Sequence, residues 1–163
     1  MAGPWRRSAR TQPRAPTRCA RRHGWKDSES PNHLYIENSV GRGLTDAFNK
    51  FQKHHNWRAV LQHDVHPNMQ QRQQEGDGWW IREVAANGYV IVTCDMAIVE
   101  NEDERQAVIE SGARIIGYAK ANYNRWDMMR GLCRHWLSIE RHVADQPVVL
   151  KLWAGAKAPQ RLL

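Results

Sequence analysis

At 163 residues, with 41% hydrophobic content and eight Trp, the chain is long enough for one domain with a sizeable core. Its longest apolar runs, such as Tyr89–Val92 and Ala113–Ile116, are far too short to span a bilayer, so no membrane is expected. The formal charge of +7 is uneven: residues 1–26 hold seven Arg, one Lys and no acid, leaving residues 27–163 with a net −1. Cys19, Cys94 and Cys133 have neither disulfide nor metal-ligand spacing, and no secretory apolar core precedes them. A reducing, cytoplasmic setting is therefore expected.

Residues 1–31 read as a basic tail with no periodic apolar pattern, unable to bury enough surface to fold alone. Three readings stand open for it: an arm that holds nucleic-acid phosphates by charge, an organelle transit peptide, or an upstream-extended start. Residues 32–155 read as the folded domain and 156–163 as a flexible C-terminal end.

Within the domain, Leu34 to Glu37 reads as a first strand closing on an acid. Ser39 to Gly43 turns into a helix whose apolar face is Leu44, Ala47, Phe48 and Phe51. Trp57 to Gln62 is a second strand, and the polar stretch His63 to Gly76 a loop. Asp77 sits where a helix N-cap belongs, because its side chain accepts from free N–H groups of the first turn. Trp80, Ile81, Val84 and Ala85 follow at helical spacing, and Asn87-Gly88 closes that helix. One of Trp79 and Trp80 must face the core by helical geometry, so at most one is free to stack on a base. Tyr89 to Thr93 is a buried strand rich in β-branched residues, ended by Asp95.

A helix over Glu102 to Ser111 leads to a strand at Ala113 to Tyr118. A long helix then runs from Asn122 to His142, capped by Asn122 or Asn124, with Met128, Met129, Leu132, Cys133, Trp136, Ile139 and Val143 on its core side. Val148 to Leu152 is the last strand. Alternation of strands and helices predicts an α/β domain with a mostly parallel sheet of about five strands. Right-handed crossovers place the carboxyl ends of those strands on one edge.

Acids collect at that edge: Glu37, Asp64, Asp77, Asp95 and Glu100, with Glu102 and Asp103 beyond. Clustered carboxylates repel one another unless a cation neutralises them. Oxygen donors without His or Cys at ligand spacing suit Mg²⁺ or Mn²⁺, whose chemistry at phosphate is phosphodiester hydrolysis. Each acid also has a plainer role: Asp77 as a cap, Asp64 in a turn, Glu100 to Glu104 as a solvated helix start. Glu37 and Asp95 are hardest to explain that way, since each ends an apolar strand. His54, His55, His63 and His66 read as surface histidines.

The runs YIENSVGRGL, DGWWIREVAANGYVIVTCDMAI, ERQAVIESGARIIGYA, LSIERHV and QPVVLKL, in that order over residues 34–153, resemble the PIN-like domain family of the VapC type. The resemblance implies a three-layer α/β/α fold and a Mg²⁺- or Mn²⁺-dependent endoribonuclease, the toxin of a toxin–antitoxin pair. RNA would be its substrate, an antitoxin protein its partner and a homodimer its assembly. By that resemblance Glu37, Asp77 and Asp95 are the catalytic and metal-holding acids. Asp64, Thr93, Asn38 and Glu100 support them, and Thr93 orients either Asp95 or a metal-bound water. The chain departs from the pattern in having Glu37 where Asp is usual, a change of about 1.5 Å in reach. It departs again in the acids 100–104, where relatives are often basic. Both departures favour a second reading, a catalytically impaired PIN-like module that binds RNA or a protein. A receiver-like signalling domain also places acids at strand ends, but it needs paired acids at the first strand and a Lys after the last.

Overall fold

The computed structural model describes residues 32–52, 56–68 and 78–163. These described residues form one compact unit. Its elements run β1 (Asn32–Ile36), α1 (Arg42–Phe51), β2 (Trp57–Leu61), α2 (Gln62–Val65), α3 (Gly78–Ala86), β3 (Val90–Thr93), a 3-10 turn (Ala97–Val99), α4 (Glu102–Ser111), β4 (Arg114–Tyr118), α5 (Arg125–His142), β5 (Val148–Leu152) and β6 (Gln160–Arg161).

The strands lie in the order β2-β1-β3-β4-β5-β6, parallel except for β6. Period-two alternation sorts their side chains into two cores. Leu34, Ile36, Val90, Val92, Ile116, Tyr118, Val148, Leu150 and Leu152 face one way, with Leu44 and Phe48 of α1 and Met128, Leu132 and Ile139 of α5. Tyr35, Ile91, Ile115 and Val149 face the other, with Trp80, Ile81 and Val84 of α3 and Ala107 and Val108 of α4. The result is a three-layer α/β/α domain with both sheet faces covered, which is why its strands are nearly all apolar.

Local signals set the helix ends. Asn101 Oδ1 accepts from the backbone N–H groups of Asp103 and Glu104 and caps α4. Asn124 caps α5 through the Asp127 N–H at 2.8 Å. Gly112 closes α4 at φ 67°, a conformation that a side chain would strain.

Four expectations change. The end of the chain, read as fraying, returns as β6 and pairs antiparallel with Leu150 and Lys151 of β5. Leu162 and Leu163 then pack on the second core, an anchoring that composition does not reveal. Phe51 is 73% exposed, because it falls in the last turn of α1. Cys133 is exposed too, lying one position off the buried stripe of α5. The start of the polar loop is helical, as α2.

Candidate active site

β1 lies between β2 and β3, so the chain leaves it to one side and comes back on the other. Such reversals open a crevice at the carboxyl ends of the strands. Glu37 stands at this crevice. Its N–H donates to Val92 O at 3.0 Å, extending the β1–β3 ladder one residue past β1. Its carbonyl then accepts from Val40 N at 3.0 Å and Gly41 N at 3.4 Å, turning the chain toward α1. Gly41 makes the turn at φ 87°.

The carboxylate of Glu37 is fixed by two hydroxyls. Ser39 Oγ donates to its Oε2 at 2.5 Å, and Thr93 Oγ1 donates to the same oxygen at 2.6 Å. Hydroxyl-to-carboxylate bonds of this length are charge-assisted and among the stronger kind. Thr93 is fully buried at the end of β3. Its oxygen also accepts the Asp95 N–H at 2.8 Å. One hydroxyl therefore joins the turn bearing Glu37 to the turn bearing Asp95. Asp95 Oδ1 in turn accepts from Ala97 N at 2.8 Å and opens the 3-10 turn. A fifth tie runs from Cys94 N to Ser39 Oγ at 3.4 Å.

The other expected residues are placed differently. Asp64 lies on α2, where its Oδ1 pairs with Arg42 Nη2 at 3.1 Å, both side chains half exposed. Such an exposed pair contributes about 0–1 kcal/mol. Asn38 acts through its backbone, donating to the buried Gln62 Oε1 at 2.9 Å. Glu100 closes the 3-10 turn through a backbone bond to Ala97 O and is exposed, with no tie to Glu37 or Asp95. Asp77, with its expected cap and metal roles, lies outside the described residues, as do His54 and His55.

Among the described residues, no group of three or more His, Cys, Asp or Glu gathers to hold a metal. The two acids that do share the crevice still suit a hard cation. Glu37 Oε1 and Asp95 Oδ2 carry no hydrogen bond among the described residues, and both are oxygen donors. Cys94 stands between Thr93 and Asp95. Burial, with the charge of Glu37 added, pushes its thiol up to about 11 against a weaker opposing bond from Ser39, so it stays protonated at neutral pH.

Sequence reasoning missed Ser39, Gln62 and the seat of Met96. A Ser two residues beyond a strand-end Glu was a usable signal for the first. For Gln62, a polar residue 3% exposed at a strand end, the sequence has none. Met96 follows Asp95 and lies across β4 where a side chain is missing. A Cβ added to Gly117 would stand 1.8 Å from its Sδ. Gly117→Ala is therefore expected to expel Met96, cost about 1–3 kcal/mol of stability, and speed amide exchange at residues 95–97. Met96→Ala in the same chain should restore most of both, and unaltered exchange in Gly117→Ala would show that Met96 does not brace the turn.

On the other sheet face, the buried Tyr35 hydroxyl bonds His66 Nδ1 at 2.7 Å. The opposite ring nitrogen lies 3.4 Å from Glu83 Oε1, and the ring meets Trp79 edge-on. Burial pushes the Tyr35 phenol well up, so it serves as a neutral partner. His66 precedes residues 69–77 and Trp79 and Glu83 follow them, so this network ties together the two sides of the stretch that carries Asp77. The surface reading suits His63 but not His66, whose side chain is 10% exposed. Trp80 is the core member of its pair, and Trp79 is occupied by His66.

A family model described as a PIN like domain matches residues 33–120, from β1 through β4 to the turn before α5. No curated protein and no solved structure matches the chain.

Proposed function

The chain belongs to the PIN-like domain family, and on that footing we propose that it is a metal-dependent endoribonuclease, the toxin of a toxin–antitoxin pair. The nuclease half of this reading is carried by one observation: the Thr93 hydroxyl holds Glu37 and Asp95 together at the crevice beside β1. Glu37, Asp95 and Asp77 would hold Mg²⁺ or Mn²⁺. A divalent ion there supplies Lewis acidity at phosphate and a nucleophile at neutral pH.

The chain's own part is positioning. Ser39 and Thr93 hold one oxygen of Glu37 and leave the other directed by that restraint. Backbone ties on both sides of Asp95 do the same for its carboxylate. Such preorganisation matters because an error of about 1 Å in a reacting geometry costs about 10²-fold in rate. The toxin role, with an antitoxin partner, is supported by the motif order over residues 34–153, and the cytoplasmic setting by three cysteines without disulfide or metal-ligand spacing.

The second reading, an impaired binding module, draws on Glu37 in place of Asp. The acids 102–104 lend it less. They occupy the first turn of α4 under the Asn101 cap, where acids stabilise a helix end, and Glu104 is buried. Incubation with a pool of single-stranded and structured RNA is expected to give cleavage with Mn²⁺ or Mg²⁺ and none with EDTA. Cleavage that persists in EDTA would remove the metal. A folded chain that neither cleaves nor takes up Mn²⁺ would establish the module instead.

A further inference from the structure

α5 buries one stripe against the sheet and α1 and leaves a second stripe in solvent. At 100° per residue, Trp126, Arg130, Cys133, Arg134, Leu137 and Arg141 fall within an arc of about 100°. All six are exposed, Trp126 at 72% and Leu137 at 71%. The arc holds three arginines and no acid. Arg130 pairs with Asp127 at its margin at 2.7 Å, whereas Arg134 and Arg141 have no ion pair among the described residues. At 1.5 Å per residue the stripe runs about 22 Å along the helix.

This stripe begins at the crevice. Arg125, the first residue of α5, lies across the first turn of α1. A Cβ on Gly43 would meet its Cδ at 2.9 Å, and one on Gly41 would lie 3.8 Å from its guanidinium. Gly41 donates its N–H to the carbonyl of Glu37. Trp126 therefore stands at the end of α5 nearest the two carboxylates, with Arg130, Arg134 and Arg141 leading away. The stripe also lies beyond residues 33–120 and so outside the span of the family match.

We propose that the exposed face of α5 is the docking track for a single-stranded RNA segment flanking the cleavage point, with Trp126 stacking on an unpaired base and Arg134 and Arg141 holding phosphates. A large exposed indole among unpaired guanidiniums is the combination that single strands use: any base offers a π-face, and phosphate supplies the charge. A duplex hides its base faces and would forgo the indole. The inference rests on RNA being the substrate of the proposed nuclease.

The test uses the full chain, EDTA to stop cleavage, and a fluorescein-labelled unstructured 12-nucleotide A/U RNA titrated at several salt concentrations. Arg134→Glu with Arg141→Glu is expected to weaken binding at least about tenfold and to flatten the log–log salt slope by about 1.4, the release expected for two phosphates on a single strand. Trp126→Ala is expected to weaken it about tenfold with the slope unchanged. Arg134→Lys with Arg141→Lys should retain most of the affinity, and Arg105→Glu, on α4 across the sheet, should retain all of it. Parent-like affinity in both the charge-reversed and the Trp126→Ala chains overturns the proposal. Unchanged RNA affinity with lost self-association or lost protein binding also overturns it, and assigns the face to a protein. Because binding is read without metal, weakened variants of a chain that never cleaves would keep the track and sink the nuclease. Cleavage with unaltered variants would do the reverse.

Discussion

Asp95→Asn is expected to reduce metal-dependent RNA cleavage by about 10²–10³-fold or more, a loss of the size seen when one preorganised charge-stabilising group is removed. Stability should hardly change. The bond from the Asp95 N–H to Thr93 Oγ1 belongs to the backbone and survives. An amide oxygen in place of Oδ1 can still accept from Ala97 N. What disappears is the negative charge at an exposed position, and with it the pull on a divalent ion. Single-turnover cleavage beside thermal unfolding separates the two effects. Parent-like cleavage by a folded Asp95→Asn chain would take Asp95 out of the mechanism.

Thr93→Val should be costly in both respects. Valine keeps the shape of threonine and removes only the hydroxyl, so the packing of this fully buried position is retained. Glu37 Oε2 loses the donor at 2.6 Å, and the Asp95 N–H loses its acceptor. Leaving a buried polar group unmatched costs about 1–3 kcal/mol. Two turns released from a common anchor should lower kcat/KM by about 10²-fold. Thr93→Ser, which restores the hydroxyl, should recover most of the activity. Denaturant midpoints and kcat/KM measured on the three chains settle the matter. A Thr93→Val chain with parental kcat/KM would show that this hydroxyl is structural and does not position the acids.

Much of this architecture was legible beforehand for an identifiable reason. The strands are short, β-branched and separated by helical apolar spacing, so their succession along the chain and parallel arrangement follow from pattern alone, whereas their order in the sheet does not. Gly112 and Asn124 end their helices by side-chain and backbone chemistry that is local, and therefore readable. What was not readable depends on distant pairing. That Thr93 would reach Glu37 rests on the register Ile36↔Val92, which no local pattern specifies. The need for glycine at position 117 comes from Met96, a residue of another segment that lies across it. His66 looked like a surface residue because its partners, Tyr35 and Glu83, come from β1 and α3. β6 is two residues long and made of Gln and Arg, too short and too polar for any alternation to show.

The bond between Glu37 and Thr93 spans 56 residues of chain. During synthesis from the N-terminus, Glu37 leaves the ribosome long before the threonine that anchors it. β1 and β2 can pair early, but β3 must be inserted on the far side of β1 before the two acids share an anchor. A nascent chain stalled ahead of β3 therefore lacks the hydroxyl that joins the turns bearing the two acids. Late closure of the sheet is a built-in delay on assembly of the site and, for the nuclease proposed above, on the moment at which cleavage begins.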